Sequence, residues 1–252
     1  LYALRDVTAT VDSIPLITSS IMSKKLAAGS HSIVLDVKVG SGAFMKTPEE
    51  AEILAKKMVG IGKACGRNTA ALITDMNSPL GTAVGNSLEV IEAVNVLKGK
   101  ADGDLKEVCV QLASAMISLV CSVSHEEAEK RVLGVLSDGS AFEKMKEWIA
   151  AQGGDARYID NTELFEKAAY SFDVISEKSG WISSMDTEKI GLSGVVLGAG
   201  RSSKEDEIDH SAGIIIHKKT GDRVEKGDVL CTLYTNKKQA VFDAEKLYRE
   251  AV

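Results

Sequence analysis

The first hundred residues alternate between helix-like and strand-like segments, and this rhythm constrains the fold more than any other feature. Apolar residues at helical spacing run through residues 8–28, and Ser32 to Val37 is a short apolar, β-branched run. A second helical pattern extends from Pro48 to Gly66, followed by another short apolar run from Ala70 to Thr74 and by a third helix after Gly85. Such alternation is typical of α/β domains with buried parallel strands.

The later part of the chain changes character after Gly154. Before it, residues 104–123 and 140–151 carry helical patterns. After it, glycine becomes more frequent, and Ala212 to His217 and Val229 to Tyr234 are typical of strands joined by turns. The sequence therefore predicts an α/β fold with a mixed, largely parallel sheet flanked by helices, followed by a C-terminal α+β section.

Two helix starts can be predicted from their capping residues. Asp12 or Ser13 can cap the first helix, and Pro15 then falls in the first turn, where it is tolerated. Asn86 can cap the third helix, with Glu89 three residues later as its reciprocal partner.

The composition excludes several classes of protein. The chain has 30 Lys and Arg against 36 Asp and Glu, a net charge of −6, which argues against a nucleic-acid binder. Its most apolar stretch, Cys109 to Val123, contains Gln111 and three serines and is too short for a membrane span, which needs about 18 apolar residues. The four cysteines form no CxxC pair, so we expect free thiols in a reduced, cytoplasmic protein.

Three weaker signals do not identify a site. Gly40-x-Gly42 follows a strand, but the third glycine of a dinucleotide-binding loop is absent. Gly221 to Leu230 is similar to the hairpin of lipoyl- and biotin-carrier domains, yet it lacks a carrier lysine at an exposed tip, and a turn between core strands is the simpler interpretation. The four histidines have no Cys or carboxylate at zinc-ligand spacing.

Several long blocks resemble one enzyme family. The segment from Tyr2 to Ile17, with Ser19 to Lys25 after it, resembles the pyrimidine-nucleoside phosphorylase and thymidine phosphorylase family. The resemblance continues through three more blocks and two short pieces of the tail: Leu35 to Met45, Thr74 to Gly81, Gly85 to Val90, Gly198 to Arg201 and Lys226 to Asp228. It spans essentially the whole chain.

The resemblance implies three sections. Residues 1–28 would be a remnant of a small helical domain that carries base-binding residues, residues 29–155 the α/β core, and residues 156–252 the C-terminal α+β section. The chain begins at Leu1, and the family's phosphate-binding stretch, which lies upstream of Tyr2, is not in this sequence. We therefore expect a fragment whose partners are the missing N-terminal segment and, when intact, a second copy in a homodimer.

The family cleaves the N-glycosidic bond of pyrimidine nucleosides with inorganic phosphate, giving the base and a pentose 1-phosphate. The resemblance implies that Arg5, Ser20 and Lys24 hold the pyrimidine. Negative charge develops on the departing base, and fixed donors at its carbonyl oxygens stabilise that charge. Ser20 and Lys24 are four residues apart, so one helix face presents both. From spacing alone, all three residues are typical of a solvated surface.

The same resemblance implies a potassium site and no organic cofactor. It assigns the backbone carbonyls of Leu80 and Ala83 and the carboxylate of Glu92 as ligands, with the remaining ligands in the upstream segment. Oxygen ligands from a loop and one carboxylate suit a hard cation.

The substrate range and the activity of this chain are left open. The block from Asn77 to Gly81 is more similar to members that accept both uridine and thymidine than to strict thymidine phosphorylases. We expect the fragment to be inactive alone, and a non-catalytic, stably folded domain is the alternative. A phosphoribosyltransferase of the anthranilate type shares the fold class, but it would need a diphosphate loop and magnesium carboxylates that the sequence does not show.

Overall fold

The computed structural model describes residues 13–252 except Ser202 and Lys204. The predicted α/β class is confirmed. In chain order, the helices are α1 (Ile14–Ala27), α2 (Pro48–Ala64), α3 (Asn86–Leu97), α4 (Asp104–Cys121), α5 (His125–Ser137), α6 (Ser140–Ala151), α7 (Arg157–Asp160), α8 (Thr187–Leu197) and α9 (Val241–Ala251). The strands are β1 (Ser32–Val39), β2 (Asn68–Asp75), β3 (Ala83–Val84), β4 (Tyr170–Ile175), β5 (Gly180–Trp181), β6 (Gly213–Ile216), β7 (Arg223–Val224) and β8 (Val229–Thr235).

The chain divides into two compact units. Among the described residues, the first unit comprises residues 13–75 and Val108–Leu133, and the second comprises Met76–Glu107 and Gly134–Val252. The section boundaries near residues 28 and 155 come from the family resemblance and stay predictions. Within the described residues, no helix has the length and apolar character needed to cross a membrane.

The first unit is built on a parallel pair of strands. β1 pairs with β2 over their whole length, from Ser32 opposite Asn68 to Val39 opposite Asp75. Helix α2 connects the two strands, as parallel strands need a long crossover. It begins with a capping box in which the Thr47 side chain and Glu50 bond each other's backbone N–H groups. The core joins β1 to α1 and α2: Ile17, Met22, Ile33, Leu35, Val37, Met45, Ala51, Leu54, Ala55 and Met58.

Helix α1 agrees with the predicted helix within the described residues. Pro15 lies in its first turn, as predicted, and Ser13 occupies the N-cap position without a side-chain capping hydrogen bond. The alternative cap, Asp12, lies outside the described residues, as do residues 8–12 of the predicted helix. Ile17 and Met22 are buried in the core of the first unit, which anchors the helix.

The second unit contains an antiparallel sheet with the strand order β3-β6-β8-β4, and a separate antiparallel pair, β5 and β7. The prediction of a largely parallel sheet is therefore wrong for the described residues, in which β1 and β2 form the parallel pair. For β6 and β8 the reason is their connection, because residues 217–228 contain no helix that could carry the chain back to the start of a parallel neighbour.

The core of the second unit lies between this sheet and helices α8 and α9. Tyr248 of α9 is fully buried, as are Ile190 and Leu197 of α8. The remaining members of this core are Val174, Ile182, Met185, Ala212, Ile214, Ile216, Val224, Leu230, Cys231, Leu233, Ala244 and Ala251.

The start of α3 differs from the prediction. The N-cap residue is Gly85, with a φ of 136°, rather than Asn86. Glu89 reaches back as predicted, but its Oε1 accepts from the Gly85 N–H at 2.9 Å. The Asn86 side chain instead donates to the carbonyl of Ala199 at 2.9 Å. The prediction of Asn86 as the N-cap is therefore wrong, because its amide makes a tertiary contact.

Gly85 is required because two backbones cross closely at this point. A Cβ at Gly85 would lie 2.5 Å from the Ala212 carbonyl oxygen, and one at Gly213 would lie 2.3 Å from the Val84 carbonyl oxygen. Both glycines also have positive φ angles, which side chains disfavour. This crossing joins β3 to β6 and fixes where α3 begins.

We expect Gly85→Ala to lower the free energy of unfolding by about 1–3 kcal/mol, because the new methyl group meets a backbone atom that cannot move aside. Gly134→Ala is the matched control. Gly134 lies within α5, where an added Cβ meets nothing within 4 Å, so alanine should raise the free energy of unfolding by about 0.5–1 kcal/mol. Urea unfolding followed by circular dichroism measures both changes, and equal stability of Gly85→Ala and the unmodified chain would contradict this account.

Candidate functional site

Helix α1 carries two of the three predicted base-binding residues. Ser20 is half-buried and Lys24 is exposed, one helical turn apart in the first unit. On a helix, this spacing places both side chains on one face. They run along the edge of the face that buries Ile17 and Met22. Arg5, the third predicted residue, lies outside the described residues.

A second group of polar contacts surrounds the loop formed by residues 76–85 of the second unit. Glu92 reaches this loop from α3. Its Oε1 accepts from the backbone N–H of Thr82 at 2.6 Å and from the Thr82 hydroxyl at 2.7 Å. Its Oε2 accepts from the backbone N–H of Ala83 at 3.1 Å. Both carboxylate oxygens thus hold the loop.

The strand pairing sets the direction of the Ala83 carbonyl, which is one of the predicted cation ligands. The neighbouring Thr82 carbonyl accepts from the Ile216 N–H at 2.8 Å, so it faces β6. Successive residues of a strand turn their backbone groups to opposite sides. The Ala83 carbonyl therefore faces the other way, toward the side on which the Ala83 N–H meets Glu92.

These residues fit a monovalent cation. The carboxylate of Glu92 and a backbone carbonyl turn to the same side of the loop, and hard cations prefer such oxygen ligands. Space at Gly81 is reserved as well, because a Cβ there would lie 2.5 Å from Glu92 Oε2. Leu80, the remaining predicted ligand, is half-buried in the same loop.

The opposite side of the loop is held by two residues that the sequence interpretation missed. Lys219 Nζ donates to the carbonyls of Pro79 at 2.7 Å and Gly81 at 3.0 Å, and it also contacts the Asp104 carboxylate. Asp104 Oδ1 in turn accepts from the Gly81 N–H at 3.1 Å. Lys219 and Asp104 are 115 positions apart in sequence, so no local pattern could have paired them.

A further polar group lies at the carboxyl ends of β1 and β2, where ligands often bind in open α/β sheets. Asp36 accepts from the Thr74 hydroxyl at 2.5 Å and lies 2.8 Å from the ammonium group of Lys38. The glycine-bearing loop after β1 closes on itself, since the Ala43 N–H donates to the Gly40 carbonyl. The next helix begins only at Pro48, which agrees with the absence of a dinucleotide-binding loop.

Two of the cysteines are in environments that disfavour the thiolate. Burial raises the pKa of the Cys231 thiol to about 12, so this thiol stays protonated in the core beside Tyr248. Burial also raises the pKa of the Cys109 thiol, although part of that residue is exposed. Cys231 is therefore a core-packing residue, whereas an expectation of mostly core thiols is wrong for Cys65, Cys109 and Cys121, which are exposed.

Two family profiles match this chain and define the class of protein to which it belongs. Residues 1–142 match the profile of the family described as "Glycosyl transferase family, a/b domain". Residues 181–252 match "Pyrimidine nucleoside phosphorylase C-terminal domain". The chain therefore belongs to the pyrimidine-nucleoside phosphorylase family, within the glycosyl transferases of that a/b class, and the resemblance read from its sequence blocks is confirmed.

Two relatives show how far the similarity extends. A Bacillus subtilis protein named pyrimidine-nucleoside phosphorylase is 50% identical over 249 residues, which is 98% of this chain and 58% of that protein. A Staphylococcus aureus protein of the same name is 51% identical over 247 residues, which is 98% of this chain and 57% of that protein. The chain thus spans less than two thirds of the length of the relatives it matches.

We expect native Cys231 to resist a thiol reagent such as Ellman's reagent at pH 8, because its thiol is fully buried and protonated. Cys65, Cys109 and Cys121 are exposed and should react. Counting released thionitrobenzoate before and after adding denaturant measures the difference. Four equally fast thiols in the native chain would contradict the burial of Cys231.

We expect Glu92→Gln to destabilise the second unit by about 1–3 kcal/mol, because an amide has one acceptor oxygen where the carboxylate uses two. Glu89→Gln is the matched control on the same helix. Glu89 accepts a hydrogen bond from the Gly85 N–H through one oxygen, which an amide can keep, so the effect of this change should be smaller. Thermal unfolding of both variants makes the comparison, and equal losses would contradict a special role of Glu92.

Proposed function

We propose that the protein carrying this chain is a pyrimidine-nucleoside phosphorylase, which transfers a pentosyl group from a pyrimidine nucleoside to inorganic phosphate. The observation that carries the proposal is the 50% identity to the Bacillus subtilis relative across 98% of this chain. This chain is then the part that holds the base, and the phosphate-binding stretch belongs to a segment upstream of it.

The base-holding role falls to Arg5, Ser20 and Lys24. In the reaction, the bond between the sugar C1′ and the base nitrogen breaks, and its electron pair leaves with the base. A phosphate oxygen forms the new bond to C1′, and the base takes up the proton that hydrogen phosphate loses. The Lys24 ammonium group and the Ser20 hydroxyl, aligned on α1, would donate to the base carbonyl where the negative charge grows. Arg5 would add a planar pair of donors.

The substrates we propose are uridine, thymidine and deoxyuridine. The Bacillus subtilis and Staphylococcus aureus relatives are both named for pyrimidine nucleosides in general, which favours the broader range. Strict thymidine phosphorolysis is the alternative. Comparing the rates of base release from uridine and from thymidine distinguishes the two.

The cofactor we propose is a potassium ion, without an organic cofactor. The carbonyls of Leu80 and Ala83 and the carboxylate of Glu92 would hold it, with further ligands from the upstream segment. The ion would supply a fixed positive charge that orders the 76–85 loop. We also propose that the intact protein is a cytoplasmic homodimer.

This chain alone should be inactive, because the phosphate would have no binding loop. A non-catalytic, stably folded domain is the second candidate for the chain by itself. The two are distinguished by adding the part of the Bacillus subtilis relative that this chain does not match, either as a separate polypeptide or fused to form a chimera of full length.

The test is phosphate-dependent release of uracil from uridine, followed by the absorbance change. We expect activity in the chimera and none in the chain alone. Lys24→Ala should lower the turnover rate of the chimera about 10²–10³-fold, as expected for losing one donor to the developing negative charge. Lys25→Ala is the matched control, because it removes the same charge from the next position of α1 and should leave the rate unchanged.

Two results would contradict the proposal. Phosphate-dependent activity of the chain alone would show that the phosphate site does not depend on an upstream segment. A folded chimera that releases no uracil or thymine would favour the non-catalytic alternative.

A further inference from the structure

We propose that Lys219 is a positioning residue for the cation site, because its ammonium group and Asp104 fix the backbone of residues 79–82 so that the Leu80 carbonyl turns toward Glu92. This inference rests on the cation role proposed above for Leu80, Ala83 and Glu92. It adds two residues from distant parts of the chain that do not themselves bind the ion.

The first step is the orientation of the peptide group between Gly81 and Thr82. Its carbonyl accepts from Lys219 Nζ at 3.0 Å, and its N–H donates to Glu92 Oε1 at 2.6 Å. The C=O and N–H of a trans peptide point in opposite directions. Lys219 and Glu92 therefore lie on opposite sides of the loop, which passes between them.

The second step is the peptide group between Leu80 and Gly81. Its N–H donates to Asp104 Oδ1 at 3.1 Å, and Asp104 contacts Lys219. By the same rule, the Leu80 carbonyl points away from Asp104 and Lys219. It therefore turns to the side of Glu92, where the Ala83 carbonyl also faces.

The third step is the charge balance across the loop. The Lys219 side chain is only 21% exposed, and the contact with Asp104 compensates its charge. On the other side, the negative charge of Glu92 is left to compensate a bound cation. Lys219 can thus hold the loop on the side opposite Glu92 with little net repulsion of the ion.

The side chain at position 219 has to be a lysine for this arrangement. Its three ammonium donors match three acceptors, namely the carbonyls of Pro79 and Gly81 and the carboxylate of Asp104. A guanidinium group is planar and cannot direct its donors to the same three points. The neighbouring residue Thr220 adds a second tie, with its hydroxyl 2.9 Å from that of Ser78.

Lys218 offers a matched control in the same turn. Its ammonium group donates to the Arg223 carbonyl at 3.2 Å and lies 3.5 Å from Asp228. None of these groups belongs to the 76–85 loop. Lys218→Met and Lys219→Met thus remove the same charge from adjacent positions, and only the second change affects the loop.

The experiment uses the full-length chimera with the Bacillus subtilis relative and measures its thermal unfolding midpoint against potassium chloride, with choline chloride keeping the ionic strength constant. We expect potassium to stabilise the unmodified chimera saturably. Lys219→Met should need about tenfold more potassium for half of the effect, as is typical when a residue that orients a metal ligand is lost. Lys218→Met should leave the half-effect concentration unchanged.

Asp104→Asn is the second variant, in case Lys219→Met does not fold. The amide can still accept from the Gly81 N–H, but Lys219 loses its compensating charge, so potassium should again bind more weakly. Choline alone should not stabilise any of these proteins.

The outcomes separate this inference from the proposed reaction. An unchanged half-effect concentration in Lys219→Met, even with a lower unfolding midpoint, would reduce Lys219 to a structural residue and overturn the inference. If potassium does not stabilise the unmodified chimera while uracil is still released, the cation role fails together with this inference, but the phosphorolysis stands. If potassium raises the unfolding midpoint of the unmodified chimera but no uracil is released, the phosphorolysis fails and the cation role stands.

Discussion

The carboxylate of Glu92 is the interaction on which the candidate cation site depends. It accepts hydrogen bonds from two consecutive backbone N–H groups of the 76–85 loop and from the Thr82 hydroxyl. Residues 76–81 of this loop lie outside the sheet and have no ladder to satisfy their backbone, and polar groups without partners are costly when buried. Glu92 on one side and Lys219 on the other supply those partners. The same contacts determine which way the loop carbonyls face.

The two compact units use different sheet geometries for the same physical reason. In the first unit, α2 is long enough to return the chain to the start of a parallel neighbour. In the second unit, β6 and β8 are joined by residues 217–228, which contain no crossover helix, and they pair antiparallel. The close crossing of Gly85 and Gly213 attaches β3 to that sheet. Each candidate group of residues belongs to one unit: Ser20 and Lys24 to the first, and the 76–85 loop to the second.

Local patterns were reliable where local physics decides the structure. The predicted helix at residues 140–151 agrees with α6. The strand predicted from Ser32 to Val37 is observed from Ser32 to Val39, two residues longer. The helical position of Ser20 and Lys24 followed from spacing and capping alone. The prediction of Asn86 as a cap was wrong because its amide bonds Ala199, which lies 113 positions away and leaves no local signal.

The sequence by itself determined the family, through its ordered blocks, and the α/β class, through its local periodicity. Only the tertiary structure decided the antiparallel sheet of the second unit and the pairing of Lys219 with Asp104 behind the loop. The pairing of β3 with β6 and the contact of Lys219 with Asp104 join residues more than a hundred positions apart, and no spacing rule within a single sequence records such contacts.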